Sequence, residues 1–441
     1  MNREQILRNV ENLNSEQLFD YICQGIVTLN DLKRTGLLDS SKRKAIDTLL
    51  IGREQEDDNM WNNARYTESG CRDYLGKYPA GKHALEAKQQ IDYIENQYRE
   101  SQAKKQEILE KVRRNPNLFT PGMLRTYLND GTIHRSDLVD YGIPGEIIDR
   151  LDNIVSPQLR LGDTPESIPN GYTEVYFWGI PGSGKTCALS AILNTAEHLG
   201  YLEIAEGPGY DYMTRLKNIF VNRITFLPPP SPVESTQYLP FVLRKGNDKP
   251  RSVSLIELSG EIFQCFYHKN AGTMDNLSPA HMQTFNSLIR FLKGNNRKIH
   301  FFFVDYEKEN NVDADGYTQS DYLQAAATFF KNNDVFGKST DAIYLVITKS
   351  DLMPCSKDER TTKVGEYLES NNFNAFIMSL KARCKQHSIN AGNLSAVPFS
   401  LGKVYFQQIC SLDRDASKKI INVLLERIPP SNKSILDFFN K

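Results

Sequence analysis

Eight consecutive residues, Gly179-Ile180-Pro181-Gly182-Ser183-Gly184-Lys185-Thr186, carry the spacing G-x-x-x-x-G-K-[ST], and the apolar run Val175-Tyr176-Phe177-Trp178 before them reads as a buried strand. Those residue types at that spacing can hold a nucleoside phosphate. Consecutive backbone N–H groups close around phosphate oxygens only where the chain bends sharply, and Gly179, Gly182 and Gly184 permit that bend. Lys185 would reach the β- and γ-phosphates, and the Thr186 hydroxyl would ligate Mg²⁺. A helix running from Gly184 through Cys187, Ala188, Leu189 and Ile192 would aim its positive end at the anion. Pro181, Ser183 and Cys187 complete the loop residues expected against the phosphates. The strand before and the helix after separate this pattern from a chance glycine-rich turn.

The base that accompanies the phosphates depends on a second stretch, Asp341 to Asp351, which reads DAIYLVITKSD. Its apolar run ends in Thr348-Lys349-Ser350-Asp351, a fit to [NT]-K-x-D, and that tetrapeptide suits guanine. One carboxylate, Asp351, can accept hydrogen bonds from both guanine N1–H and the N2 amino group, whereas adenine offers neither donor there. The stem of Lys349 would cover a face of the base, and Thr348 would tie this loop back to the phosphate loop. Alone, the tetrapeptide also reads as an ordinary helix start with Ser350 or Asp351 as N-cap.

With both motifs in place, the chain resembles the Ras-like, translation-factor-type GTPase superfamily, and the elements between and after them follow that order. Gln237 to Lys245 and Arg251 to Leu258 are strand-like runs joined by a Gly-Asn-Asp-Lys-Pro loop, which suits a hairpin. The expected sequel is a helix from Ser278 to Phe291, a strand from Ile299 to Val304, a helix from Ser320 to Phe330 and the strand ending at Thr348. A long helix from Thr361 to Cys384, a strand from Ser395 to Ser400 and a last helix from Ala416 to Arg427 complete it. This alternation predicts an α/β fold, a doubly wound, mostly parallel sheet with one antiparallel hairpin strand.

The resemblance implies further site residues. Glu257-Leu258-Ser259-Gly260 stands where the family has Asp-x-x-Gly, so Glu257 would help place Mg²⁺ and the Gly260 N–H would bond the γ-phosphate. Glu for Asp is a departure, since one extra methylene moves the carboxylate. Thr236 sits where a threonine closes over Mg²⁺ and the γ-phosphate, although a β-branched residue there also suits a plain strand edge. Glu261 occupies the position that orients the attacking water, or else is a solvated surface acid. Ser400 and Leu401 fall where a backbone N–H meets the guanine carbonyl oxygen. Arg244 and Arg223 are the candidates for a charge-neutralising arginine in cis, with ordinary surface roles the alternative. The segment Tyr201 to Thr236 should hold a short helix near Tyr212 to Val221, then an extended stretch through Pro228-Pro229-Pro230-Ser231-Pro232.

The first third has a different style. Leu18, Tyr21, Gly25, Asp31, Leu32 and Gly36 recur as Leu124, Tyr127, Gly131, Asp137, Leu138 and Gly142 at constant offset, which predicts a duplicated two-helix unit over 14–50 and 120–155. Each copy reads as helix, glycine stop, polar cap, second helix and second glycine stop. Between them, over 59–114, the string Y-L-x-x-Y-P-x-G-x-H-A-x-E-A beginning at Tyr74 resembles the tetratricopeptide-like hairpins of bacterial signalling proteins. Pro79 and Gly81 would make its turn, and Ala64, Ala84 and Ala87 would let its helices approach. His83 has no second ligand at helical spacing and reads as a helix-start or packing residue. Arg99 to Arg114 alternates acids with bases and reads as a solvated helix face.

Composition bounds the rest. A chain of 441 residues suits about three parts: a helical domain at 1–155, a linker at 156–171 with three prolines, and a nucleotide-binding domain at 172–441. A net charge of −1 supplies no field to attract nucleic acid or acidic membrane. Seven scattered cysteines without C-x-x-C spacing suit a reducing cytoplasm, and no apolar stretch reaches the length of a membrane span. The expected cofactors are GTP or GDP with Mg²⁺, and the expected partners are a protein reached through 1–155 or a second copy of the chain. Two classes of function fit: a slow GTP-hydrolysing switch, or a scaffold that holds nucleotide without turning it over. An ATPase of the signalling type is a third.

Overall fold

The computed structural model describes residues 1–154, 157, 159, 167–204, 206–207, 209–228, 236–308, 311–313, 316–369 and 373–431. Most of the expected linker, the proline stretch after Pro228, and Ser235 lie outside them. The chain divides into two compact units, Met1–Leu109 and Glu110–Lys441. The second helical segment, 120–154, therefore falls in the same unit as the sheet.

In the second unit the strands are β1 (Thr173–Trp178), β2 (Leu202–Ile204), β3 (Ile224–Phe226), β4 (Gln237–Leu243), β5 (Arg251–Glu257), β6 (Lys298–Asp305), β7 (Thr340–Thr348), β8 (Ser395–Pro398), β9 (Gly402–Tyr405) and β10 (Ile409–Leu412). Seven of them form one mixed sheet in the order β2-β4-β5-β1-β6-β7-β8. β5, β1, β6, β7 and β8 run parallel, while β4 returns antiparallel to β5 and β2 antiparallel to β4. The fold class is α/β. Strands covered on both faces are apolar almost throughout, and every residue of β1 and of β6 is buried.

Because successive side chains of a strand point to opposite faces, β1 divides its residues between two cores. Tyr176 and Trp178 join Phe263, Phe266, Leu288, Leu323, Phe330 and Phe376 on one side. Val175 and Phe177 join Leu189, Ile192, Leu216, Ile420 and Leu424 on the other. Burying each of these large side chains contributes on the order of 1.5–3 kcal/mol, which fixes the sheet rigidly between its helices. The central position of β1, with the hairpin to one side and β6 to the other, is where an open α/β sheet presents a crevice beyond the carboxyl ends of its strands.

Three elements differ from expectation. β2 adds a second antiparallel strand at the sheet edge, and β3, β10 and β9 make a separate three-stranded antiparallel sheet. The helix expected from Thr361 to Cys384 is two, Arg360–Leu368 and Asn374–His387. Ser370, Asn371 and Asn372 between them lie outside the described residues.

The first unit is helical: Arg3–Arg8, Ser15–Cys23, Leu29–Arg34, Ser40–Ala64, Glu68–Lys77 and the helix Ala84–Arg114 up to Leu109. Leu18, Val27, Leu32 and Ile46 form one small core, and Trp61, Ala64, Cys71, Tyr74 and Ala87 another. His83 stacks on Trp61 and bonds Asp58 at 2.7 Å and Glu86 at 3.0 Å through its two ring nitrogens. In the second unit the helices Pro121–Asn129 and Arg135–Asp140 repeat the local devices of Ser15–Cys23 and Leu29–Arg34. Gly25, Gly36, Gly131 and Gly142 all take φ between +70° and +87°, and Asp31 and Asp137 each accept from the N-cap backbone N–H of their own helix, at 3.0 Å and 2.7 Å.

Candidate functional site

The phosphate-loop sequence turns from the carboxyl end of β1 into the helix Lys185–His198. Its turn is drawn by left-handed backbone at Gly182 (φ +71°) and Gly184 (φ +86°), which side chains with a Cβ rarely adopt. Gly179 is needed for space as well: a Cβ there would meet the Ser183 hydroxyl at 2.6 Å and the Phe303 carbonyl at 2.8 Å. Lys185 is buried, and its ammonium donates to the carbonyls of Gly179 at 2.6 Å and Ile180 at 3.0 Å. Burial pushes its pKa down to about 7, with Glu257 opposing that shift and Lys308 adding to it. Cys187 follows in the first turn, half-buried.

Glu257 ends β5 directly across the sheet from Phe177. Its carboxylate is buried and accepts from two hydroxyls, that of Thr186 and that of Tyr212, the latter at 2.6 Å. Burial holds Glu257 above the usual carboxylate range, against the lowering effect of those hydroxyls and of Lys185. Tyr212 lies on the helix Tyr210–Ile219 of the long segment after the first helix. Its hydroxyl takes one carboxylate oxygen and Thr186 the other, an arrangement that holds the longer glutamate side chain in place. Thr236 is buried and precedes Gln237, the cross-strand partner of Glu257. A hydroxyl and a carboxylate are hard oxygen donors, so Thr186 and Glu257 fit Mg²⁺, whose other ligands would be phosphate and water. No group of three or more His, Cys, Asp or Glu side chains suited to a metal occurs among the described residues.

Gly260 presses on the phosphate loop. A Cβ there would stand 2.6 Å from the Pro181 Cα and closer still to other backbone atoms of Ile180 and Pro181. Glu261 is half-exposed, its backbone N–H donating to the Ser259 hydroxyl at 3.3 Å and its carboxylate 3.6 Å from His281.

The T-K-S-D stretch lies at the carboxyl end of β7, one strand beyond β6. The Thr348 hydroxyl donates to the Ser183 carbonyl at 2.9 Å, which ties this loop to the phosphate loop. Lys349 adopts left-handed backbone (φ +54°) and its ammonium reaches Asp305 at 3.0 Å and Glu307 at 2.6 Å. Burial works to lower its pKa, but the two carboxylates outweigh it and the net shift is upward. Ser350 donates to the Phe399 carbonyl through both its N–H (3.2 Å) and its hydroxyl (3.0 Å), bringing Ser400 and Leu401 beside the loop. Asp351 is half-buried in the single turn Ser350–Leu352.

The structure thus gathers the residues of both motifs, with Glu257 and Gly260, at the carboxyl ends of neighbouring strands. The two arginines bond elsewhere: Arg244 pairs with Glu203 at 3.0 Å, and the Arg223 carbonyl accepts from the Leu412 N–H at 3.0 Å. Sequence reasoning missed Tyr212 and the run Asp305, Glu307 and Lys308 at the end of β6. The position of that run, at the carboxyl end of a strand predicted to be parallel, was the available signal.

No family model matches the chain, and no curated protein matches it. Among solved structures it is similar to a chain of the signal recognition particle receptor SRb-GTP/SRX complex from Chaetomium thermophilum, at 13% identity over 53% of this chain and 91% of that chain, with a TM-score of 0.24. A likeness that loose says nothing about the chemistry of this site.

Proposed function

We propose that this chain is a guanine-nucleotide-binding switch that hydrolyses GTP slowly and passes its state to its helical regions. The observation that carries the reading is the bond from Thr348 to Ser183, because it joins a loop suited to phosphate with one suited to guanine at a distance set by the sheet. In this reading Gly179, Pro181, Gly182, Ser183, Gly184 and Cys187 surround the phosphates and Lys185 pairs with them. Thr186 and Glu257 hold Mg²⁺, which when bound would neutralise charge on the phosphate oxygens. Thr236 and the Gly260 N–H sense the terminal phosphate, and Glu261 orients water. Asp351 takes the guanine N1–H and N2 amino group, with Ser400 and Leu401 at its carbonyl.

The relay has a candidate path inside the second unit. The loop holding Ser400 and Leu401 runs directly into the β9–β10 hairpin, and at the tip of that hairpin Gln407 donates to Asn117 through its N–H and its side chain, each at 2.8 Å. The two helical segments, 14–50 and 120–155, are copies of one unit in this account, supported by their matched glycine φ values and aspartate caps.

A non-hydrolysing scaffold is the second reading, favoured by the engagement of both Glu257 oxygens with hydroxyls. Single-turnover phosphate release at saturating protein decides between them. The switch predicts Mg²⁺-dependent release on the order of 10⁻⁴ to 10⁻² per second from the isolated protein, reduced by Glu261→Ala. No release over many hours would favour the scaffold.

A further inference from the structure

The Pro181 carbonyl accepts a hydrogen bond from the Lys308 ammonium at 2.8 Å. A Cβ built on Gly182 would also stand 2.8 Å from that nitrogen. The cation therefore lies against the turn of the phosphate loop itself. It is carried by the single helical turn Tyr306–Lys308, which starts from a rigid base. The Asp305 N–H donates to the Gln319 side chain at 2.7 Å and its carbonyl accepts from the same side chain at 3.0 Å. Asp305 and Glu307 are committed to Lys349, so among the described charged residues of this run it is Lys308 that bonds the phosphate loop.

Two ammonium groups, Lys185 and Lys308, thus occupy the carbonyls of three successive residues, Gly179, Ile180 and Pro181. Like charges held against one loop repel. An oligophosphate seated on the loop would relieve that repulsion by pairing with both. We propose that Lys308 is a second phosphate-binding cation supplied from within the chain, exchanging the Pro181 carbonyl for an oxygen of the terminal phosphates of a nucleoside di- or triphosphate. It would supply a neutralising charge in cis. This rests on the nucleotide-binding reading above.

The test uses the full chain and three variants, with GDP and GTP affinities measured by calorimetry and melting midpoints measured without nucleotide. Lys308→Gln keeps a donor for Pro181 but removes the charge, and GTP affinity should fall by about tenfold or more, as for loss of a charge-assisted hydrogen bond. Lys308→Arg should stay within about threefold of the unaltered protein, because the charge remains. If holding Pro181 were the whole role, Lys308→Ala would lower both melting midpoint and affinity while Lys308→Gln spared both, and the inference would be overturned. Intact binding by the unaltered protein together with an indifferent Lys308→Gln overturns it likewise. Absence of any nucleotide binding by the unaltered, folded protein would instead overturn the reading on which it rests.

Discussion

Adding one methyl group to Gly260 should uncouple the E-L-S-G loop from the phosphate loop. The new Cβ would stand 2.6 Å from the Pro181 Cα, where ordinary contact begins at 3.4 Å, so the two backbones must separate by about 0.8 Å or more. Rotamer change cannot relieve this, because the obstructing atoms are backbone. Gly260 does not use left-handed backbone, so contact alone sets the cost. Overpacking of this kind costs about 1–3 kcal/mol, and a backbone-on-backbone clash belongs at the upper end. For a unit as large as Glu110–Lys441 an upper-end cost corresponds to a fall in melting midpoint of roughly 3–4 °C. The triphosphate should lose more affinity than the diphosphate, since the displaced N–H is the one assigned to the γ-phosphate. Gly365→Ala is the control: Gly365 lies inside the helix Arg360–Leu368 with nothing within 4 Å of a built Cβ, and the change should stabilise by about 0.5–1 kcal/mol. Calorimetric unfolding and GDP and GTP titrations read both effects. A Gly260→Ala protein with unaltered melting and an unaltered GTP-to-GDP affinity ratio would refute the reasoning.

Two further outcomes are expected. Burial lowers Lys185 to about 7 in the folded chain, so its cost to stability is fully present below pH 7 and is relieved as pH rises toward the ordinary lysine value of 10.5. Above about pH 7 such an amine is largely neutral, and phosphate would recharge it; titrations at pH 8 in buffers of different ionisation enthalpy should therefore show proton uptake on nucleotide binding, and zero uptake would contradict the assignment. Gly25→Val and Gly131→Val, at φ of +70° and +74°, should each destabilise by more than about 1 kcal/mol through backbone strain while nucleotide affinity is unchanged, as thermal melts and titrations of the same samples would report.

The sheet was legible because its strands are long and apolar. Val175 to Trp178, Ile299 to Val304 and Ile343 to Ile347 lie within β1, β6 and β7 as observed. The hairpin of Gln237 to Lys245 and Arg251 to Leu258 was legible from its loop chemistry. β2 and β3 were not, since three residues each leave no room for a period to show, and what holds them is pairing with distant β4 and β10. The single long helix expected from Thr361 to Cys384 was read from a continuous helical pattern, whereas the helices are Arg360–Leu368 and Asn374–His387. For the candidate site, residues bound to a motif could be named in advance because their spacing is fixed along the chain. Tyr212 and Lys308 could not, because each meets its partner only through the fold: Tyr212 reaches Glu257 across 45 positions and Lys308 reaches Pro181 across 127.

The central claim is that Asp351 reads guanine beside the phosphate loop, and the most direct measurement compares GDP, XDP and ADP affinities for the unaltered protein and for Asp351→Asn. The two hydrogen bonds assigned to the carboxylate are each worth about 1.5–3 kcal/mol, so the unaltered protein should prefer GDP by on the order of a hundredfold or more. Asp351→Asn should reverse that preference in favour of XDP, whose C2 carbonyl accepts from the amide that replaces the carboxylate. Equal affinities for GDP and ADP in the unaltered protein, or a GDP preference that survives Asp351→Asn, would contradict it.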